Sequence, residues 1–262
     1  MKHLNIWSFL ILLAIMLNAT SCSSDSDDNE EQNSIKSKRI SKIITESNNV
    51  GIIQESIFSY DMQGRIIEIK TTINSSSTKN EVYITTYKYG ESLIIEREDI
   101  DGIEYDLTRQ YPRIHTYTLS NGLIVKDTET RNGISKNISS YTYDNNGYMK
   151  SLNKNLTEES HVHNLVWNNG NLSEIEYLGT TAWSYTYSEI PWIKGMFCDR
   201  NFIPNTDCFL LAMGYYGKLP KTLPTMSGSY SYQYTVSKGY VIKMITTWSG
   251  TGETIVSNIT WE

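Results

Sequence analysis

The sequence predicts an all-β protein, and three observations support this fold class. Tyrosine occurs 19 times in 262 residues, and isoleucine and threonine are also frequent, as is typical of strands. A short tyrosine-rich unit ending in a turn glycine recurs along the chain. Its glycines at positions 64, 90, 122, 147 and 170 are 23 to 32 residues apart. This spacing fits a hairpin of two strands of roughly eight to ten residues, so we expect a long antiparallel meander.

A long twisted sheet hides its edges by curling or closing. We therefore expect about 12–15 strands arranged as an up-and-down barrel or a strongly curled half-barrel. Residues 35–262 contain no linker rich in Pro, Gly and Ser and are predicted to form a single β-barrel-like domain. Strand 103–119 is expected to break near Pro112, and residues 190–226 form an insertion before three final strands at 228–236, 240–248 and 253–261.

The clearest copy of the repeated unit spans residues 141–152. Tyr141 and Tyr143 are two residues apart and share one face of a strand. Asp144 can accept hydrogen bonds from the following backbone, and Gly147 can adopt a left-handed conformation, which together predict a hairpin turn with a glycine bulge. Residues 58–66 repeat this pattern, and looser copies occur at 87–90, 117–123, 165–172 and 232–239.

Residues 1–21 form a targeting segment that is excluded from the fold. Lys2 precedes an apolar stretch at 6–17, which is too short to span a membrane. The junction resembles a bacterial lipoprotein signal, because a small residue stands directly before Cys22. The resemblance implies lipidation of Cys22 and cleavage before it, although Ala19 stands where leucine is commoner. The alternative is an ordinary secretory signal cleaved near Ala19.

Residues 22–34 form an acidic, flexible tether, because they carry five carboxylates and almost no apolar side chain. An acidic run directly after the lipidated cysteine resembles the surface-export signal of Bacteroidota lipoproteins. The resemblance implies an outer-membrane lipoprotein exposed at the cell surface, attached to the membrane through Cys22. A linker facing the periplasm is the alternative.

The mature chain is acidic. Removal of residues 1–21 takes away Lys2 and no acid, which leaves 22 basic and 29 acidic residues and a net charge of −7. A nucleic-acid partner would require a basic face, so we expect none.

The insertion at 190–226 has too much apolar content for an exposed loop. Thr206 or Asp207 is expected to cap a short helix at 208–213, which Gly214 or Gly217 ends. We expect the insertion to cover one end of the barrel or to plug its lumen. Cys198 and Cys208 either form a disulfide, worth roughly 2–3 kcal/mol by the loop-entropy estimate, or stay as two buried thiols.

Two family resemblances follow from these features. Residues 58–66 resemble the YD repeat of Rhs-type shell proteins. The signal, the acidic tether, the repeated Tyr-x-Tyr-Asx hairpins and the segment 217–224 together resemble a family of uncharacterised Bacteroidota lipoproteins with a porin-like fold. That resemblance implies a barrel-like antiparallel architecture and carries no activity or catalytic residues. Glu68 and Lys70 on the outer face would be costly against lipid, so we expect a water-soluble barrel.

No motif indicates an enzyme, a metal site or a cofactor. His161 and His163 share one strand face, but a single strand does not supply a complete zinc site. The carboxylates Glu158 and Glu159 point to opposite faces, and the pairs Asp99–Asp101 and Glu174–Glu176 resemble solvated positions beside turns. Serine nucleophile elbows and phosphate-binding glycine loops are absent from the sequence.

The aromatic side chains are the remaining candidates for a binding site. Tyrosine and tryptophan can stack on sugar rings or fill a barrel core. The candidate stacking residues are Trp167, Trp183, Trp192, Trp248, Tyr185, Tyr187, Tyr232 and Tyr234. We expect a non-enzymatic module that binds a ligand, with glycans as the leading class. The alternatives are a structural or interaction barrel with a filled core and no ligand and, less favoured, an enzyme acting on envelope or dietary polysaccharide.

Overall fold

A computed structural model describes residues 38–48, 51–75, 78–101, 111–156, 159–196 and 202–262. Within these ranges the chain forms sixteen strands and one short helix. The elements are β1 (Ile40–Ser47), β2 (Ile52–Tyr60), β3 (Ile66–Ser75), β4 (Thr78–Tyr89), β5 (Leu93–Ile100), β6 (Arg113–Ser120), β7 (Leu123–Arg131), β8 (Ile134–Tyr143), β9 (Met149–Leu156), β10 (Glu159–Asn168), β11 (Asn171–Tyr177), β12 (Thr180–Pro191), α1 (Cys208–Ala212), β13 (Thr222–Ser227), β14 (Tyr230–Ser237), β15 (Tyr240–Trp248) and β16 (Thr254–Trp261).

The strands form a closed antiparallel barrel in which each strand pairs with its neighbours in sequence and β16 pairs with β1. Two backbone hydrogen bonds continue this last pairing, from Arg39 N to Glu262 O (2.9 Å) and from Glu262 N to Arg39 O (2.8 Å). Lys38–Glu262 form one compact unit. The prediction of an all-β up-and-down barrel is confirmed, and of the two predicted forms the closed one is observed.

The strand count exceeds the predicted range by one, because β13 lies within the stretch predicted as the insertion. Prolines made this stretch resemble a loop. Pro224 opposes Tyr187 of β12, but the pairing of β13 with β14 begins only at Met226, so the proline lies where no ladder hydrogen bond to β14 is required. The insertion therefore spans residues 192–221. β6 begins at Arg113, directly after the predicted break near Pro112, and residues 102–110 lie outside the described residues.

The turn chemistry predicted for the repeated unit is confirmed. Asp144 Oδ1 accepts hydrogen bonds from Asn146 N and Tyr148 N, both at 2.9 Å, and Gly147 has a φ of +84°. The register between β8 and β9 shifts at Thr142 and Tyr143, as a bulge requires. These local bonds determine where β8 ends and β9 begins.

The even-numbered strands place two rings of large side chains inside the barrel. The inner ring is buried and consists of Phe58, Tyr87, Tyr117, Tyr141, Leu165, Tyr185, Tyr232 and Ile259. The rim ring lies two residues further along each strand and consists of Tyr60, Tyr89, Leu119, Tyr143, Trp167, Tyr187, Tyr234 and Trp261. Because side chains alternate across a strand, both rings point into the lumen.

The rim ring ties neighbouring strands together. Every member except Leu119 donates a hydrogen bond of 2.6–2.8 Å to a backbone carbonyl near the start of the preceding strand. Tyr143 O–H, for example, donates to Ile124 O at 2.6 Å. This ring of bonds lies at the end of the barrel where the even-numbered strands finish, which we call the plugged end.

The insertion folds back into the lumen from the plugged end, and we call its described residues, 192–196 and 202–221, the plug. Phe202 and Leu210 are fully buried in it and belong to the core shared with the barrel wall. Asp207 caps α1 by accepting a hydrogen bond from Leu210 N at 2.6 Å, as predicted. Of the two predicted arrangements, a cover and a plug, the structure shows the plug.

Backbone hydrogen bonds fasten the plug to the rim. Lys218 N donates to Gly147 O at 2.8 Å, and Lys221 N donates to Gly170 O at 3.1 Å. Gly217 has a φ of +89°, and a Cβ there would lie 2.5 Å from Gly147 O, so only glycine fits this approach. Among the described residues, no helix has the length and apolarity needed to span a membrane.

Candidate functional site

A polar cavity of about 210 Å³ lies inside the barrel, beyond the inner end of the plug. The wall is contributed by β5 to β9, and the plug contributes the residues that lead into α1. Its lining residues are Glu96, His115, Tyr117, Asp127, Glu129, Asn137, Ser139, Lys154, Asn205, Thr206 and Asp207. Four carboxylates, an imidazole and an ammonium group therefore surround one cavity within the barrel.

Two of the carboxylates lie where tyrosines of the inner ring can reach them. Tyr117 O–H donates a 2.5 Å hydrogen bond to Glu96 Oε2, and Tyr87 O–H donates to Asp207 Oδ2 at 3.2 Å. Burial, followed by the charge of Asp207, raises the pKa of Glu96 to about 8. Burial also raises the pKa of Asp207, against the opposing effect of its helix-capping hydrogen bonds. Burial consequently favours the protonated form of Glu96.

An imidazole and its carboxylate form the next pair along the wall. His115 Nδ1 lies 3.0 Å from both carboxylate oxygens of Asp127, and the imidazole stacks on Tyr117 with ring centroids 5.8 Å apart. Burial alone would lower the pKa of His115, but the hydrogen bond and charge of Asp127 outweigh it and raise the pKa to about 9. The raised pKa favours the imidazolium form of His115 beside Asp127 at neutral pH.

Glu129 is held by two donors on neighbouring positions. Arg131 Nε donates to it at 2.5 Å, and Asn137 Nδ2 donates to its other oxygen. Burial opposes ionisation, but these hydrogen bonds outweigh it and lower the pKa of Glu129. Each carboxylate of the cavity is thus hydrogen-bonded to the protein, and the arrangement presents fixed donors and acceptors to a small polar molecule.

The inner wall continues past the cavity to β12. Lys154 on β9 lies opposite Ser139 on β8 and His161 on β10. His161 Nδ1 lies 2.6 Å from the Tyr177 hydroxyl, and the His163 ring stacks on Tyr177 with centroids 5.0 Å apart. Trp183 follows at 5.8 Å from the His163 ring. Histidine, tyrosine and tryptophan rings therefore form an aromatic wall beside Lys154.

The eight aromatic residues predicted from the sequence do not lie together. Trp167, Tyr187 and Tyr234 belong to the rim ring, and Tyr185 and Tyr232 belong to the inner ring. Trp192 packs against Phe202 of the plug, with ring centroids 5.3 Å apart.

The other two lie toward the barrel end opposite the plug. Trp183 joins the aromatic wall, and Trp248 is partly exposed and stacks on Tyr230, with ring centroids 6.5 Å apart. A single stacking platform of all eight is not formed, and none of the eight is among the residues that line the polar cavity.

Several predicted residues lie outside the described part of the chain. These are the lipidation site Cys22, the signal and tether at 1–34, Cys198 and Glu158. Cys208 is buried at the start of α1. Because Cys198 lies outside the described residues, the disulfide between the two stays a prediction. Among the described residues, no group of three or more His, Cys, Asp or Glu side chains is arranged to hold a metal ion.

The cavity residues are not among the candidate residues that the sequence predicts. The sequence nevertheless contains a pattern that indicates two of them. His115 lies two residues before the buried Tyr117, and Glu96 lies two residues after the buried Ile94. Each charged residue is therefore on the inward face of its strand. Charged residues in phase with a buried face indicate a polar interior. The strand pattern does not, however, indicate that these five strands and the plug enclose one cavity.

Solved structures with the same architecture come from Bacteroides. A crystal structure of a porin-like protein from Bacteroides uniformis has a TM-score of 0.66 at 14% identity, and the match covers 85% of this chain and 98% of that one. A porin-like protein from Bacteroides vulgatus has a TM-score of 0.53 at 11% identity, with coverage of 86% and 99%. No curated protein matches this chain.

These likenesses agree with the closed barrel and with the resemblance noted from the hairpin repeats. The family model described as a domain of unknown function (DUF4595) with porin-like fold matches residues 58–240, which is more than half of the sequence. The chain therefore belongs to this family.

Proposed function

We propose that this chain is a lipid-anchored, non-enzymatic protein of the cell envelope that binds a small polar ligand inside its barrel, with saccharides as the leading class. The observation that carries this proposal is the polar cavity of about 210 Å³ beside the apolar core that the plug shares with the barrel wall. Its volume is below the range of about 300–1,000 Å³ for drug-sized pockets, so it suits one small unit rather than an extended chain.

The plug supports a binding role over a channel role. Its buried side chains share one core with β-strands from around the barrel, and the rim ring surrounds it. A conducting pore requires a continuous water-filled path, and here apolar side chains fill the lumen at the plugged end. The lumen is accordingly a closed-ended chamber.

The outer wall supports attachment by a lipid rather than insertion of the barrel. Lys70, Lys88 and Arg97 are exposed on neighbouring strands, and Arg97 forms an ion pair with Asp99 at 2.7 Å. A lysine or arginine facing lipid costs roughly 2–4 kcal/mol at the bilayer midplane. A barrel with such a wall gains membrane association from an anchor at Cys22.

The state of the carboxylates favours binding over catalysis. Each of the four is engaged by a tyrosine, histidine, arginine, asparagine or backbone donor of the protein. Because their hydrogen bonds hold these side chains in fixed positions, the remaining donor and acceptor atoms can bind the hydroxyl groups of a ligand. A filled structural barrel without a ligand is the alternative, and the extent of aromatic packing favours it.

A glycan array combined with titration calorimetry distinguishes these two functions. Wild-type protein is expected to bind, whereas Ser139→Leu, which fills the cavity from β8, is expected to abolish binding. Ser140→Leu changes the next residue on the outer face of the same strand and should bind normally. A blank array with correctly folded wild-type protein contradicts ligand binding and supports the structural barrel.

The anchor is tested separately. Cys22→Ser is expected to move the protein from the membrane fraction to the soluble fraction, and intact-mass measurement of the wild type should show the added lipid. Whole-cell protease digestion then separates surface exposure from a periplasm-facing position. Unchanged membrane fractionation of Cys22→Ser would contradict the anchor.

A further inference from the structure

Lys154 is the one charged side chain lining the cavity that, among the described residues, makes no hydrogen bond or ion pair with the protein. The four carboxylates and the imidazole beside it are all engaged, as described above. Lys154 projects from β9 between Ser139, which is buried, and His161. Because Lys154 faces the cavity and forms no ion pair there, its ammonium group is available to an anionic group of a bound ligand.

The aromatic wall next to Lys154 adds a second observation. His163 Nδ1 is buried and has no hydrogen-bond partner within the described structure. The ring of Tyr177 stacks on His163 from the neighbouring strand. Adjacent strands are about 4.8 Å apart, so the wall from Lys154 on β9 to Trp183 on β12 spans roughly 15 Å. A ring-shaped ligand can therefore contact the ammonium group and an aromatic surface together.

We propose that the ligand of this cavity is a carboxylate-bearing saccharide, a single uronate unit, whose carboxylate binds Lys154 and whose ring faces the aromatic wall at His163 and Tyr177. This inference rests on the proposed saccharide binding and names its chemical class. A single ammonium group matches a singly charged carboxylate, and the negative charge of Glu129 in the same cavity opposes a doubly charged phosphate group more strongly than a carboxylate. The hydroxyl groups of the sugar meet the donors and acceptors around Asn137.

The test compares D-glucuronate with D-glucose, which differ only at C6, by calorimetry and by NMR titration of the full mature chain. Wild-type protein is expected to bind glucuronate at least tenfold more tightly. Lys154→Met is expected to remove this preference, and Lys154→Arg to retain most of it. Lys150→Met, which changes an exposed lysine on the outer face of β9, is the matched control and should leave the preference unchanged. Circular dichroism and urea unfolding verify that each variant is folded.

The outcomes separate this inference from the proposed function. A preference that survives in Lys154→Met overturns the assignment of Lys154. Equal or tighter binding of neutral sugars by the wild type overturns the uronate class while saccharide binding stands. An absence of binding to both sugars and to the glycan array overturns the proposed function, and this inference with it.

Discussion

Tyr185→Phe tests whether the inner ring holds the plug in the lumen. The Tyr185 hydroxyl donates a 2.6 Å hydrogen bond to the backbone carbonyl of Phe202, and both residues are buried. The substitution keeps the ring, which packs edge-on against Phe202 at 5.5 Å, and removes only the donor. A buried carbonyl left without a donor costs about 1–3 kcal/mol, so the free energy of unfolding should fall by that amount.

Urea unfolding and hydrogen exchange measure the two consequences. The melting temperature should fall by roughly 2–4 °C for each kcal/mol in a domain of 150–250 residues. Amide exchange should accelerate at 202–216 more than in the barrel strands, because the lost bond joins the plug to the wall. Tyr240→Phe is the control, since the Tyr240 hydroxyl makes no hydrogen bond with the described residues, and it should change stability by less than about 0.5 kcal/mol. Equal stability of the two variants would refute this account of plug anchoring.

Three further predictions concern the plug and the cavity. Gly217→Ala should destabilise the protein by at least 1 kcal/mol more, as an order of magnitude, than Gly214→Ala in urea unfolding, because both have positive φ but only Gly217 would clash with backbone. Between pH 4.5 and about 8 the folded protein holds a proton on Glu96 that the unfolded chain releases. The free energy of unfolding should therefore fall as the pH rises, by at most about 1.4 kcal/mol per pH unit. Glu96→Gln should flatten this slope. Maleimide labelling after denaturation without reductant should leave Cys198 and Cys208 unmodified if they form the predicted disulfide.

A specific result would contradict each of these three predictions. Equal effects of the two glycine substitutions would mean that the plug can shift away from the rim. An unchanged pH slope in Glu96→Gln would show that another group holds the proton. Labelling of both cysteines would establish two buried thiols.

Local chemistry accounts for the parts of the fold that the sequence predicts well. Asp144 and Gly147 define a turn through hydrogen bonds within five residues, so the hairpin can be predicted from these residues alone. The same holds for Asp207, which caps α1 through a backbone amide three residues away. Tyrosines two apart indicate one strand face, and their repetition indicates the barrel.

Features that depend on distant partners were harder to predict. β13 contains Pro224 and pairs only briefly with β14, so its identity as a strand comes from β12. The cavity combines Glu96 with Asp207, which are far apart in sequence and meet only because the plug turns inward. The role of the aromatic residues was also open, because a tyrosine that donates to a carbonyl and one that stacks on a sugar have the same sequence pattern.

The pairing of β1 with β16 has a consequence for how the molecule is assembled. Every other contact between strands joins neighbours in sequence, so hairpins can form one after another as the chain emerges. Until the sixteenth strand arrives, however, the product is an open ribbon with two unprotected borders, each able to recruit a strand from another molecule. The barrel closes only when β1 pairs with β16, so the loss of either strand leaves two unpaired strand edges.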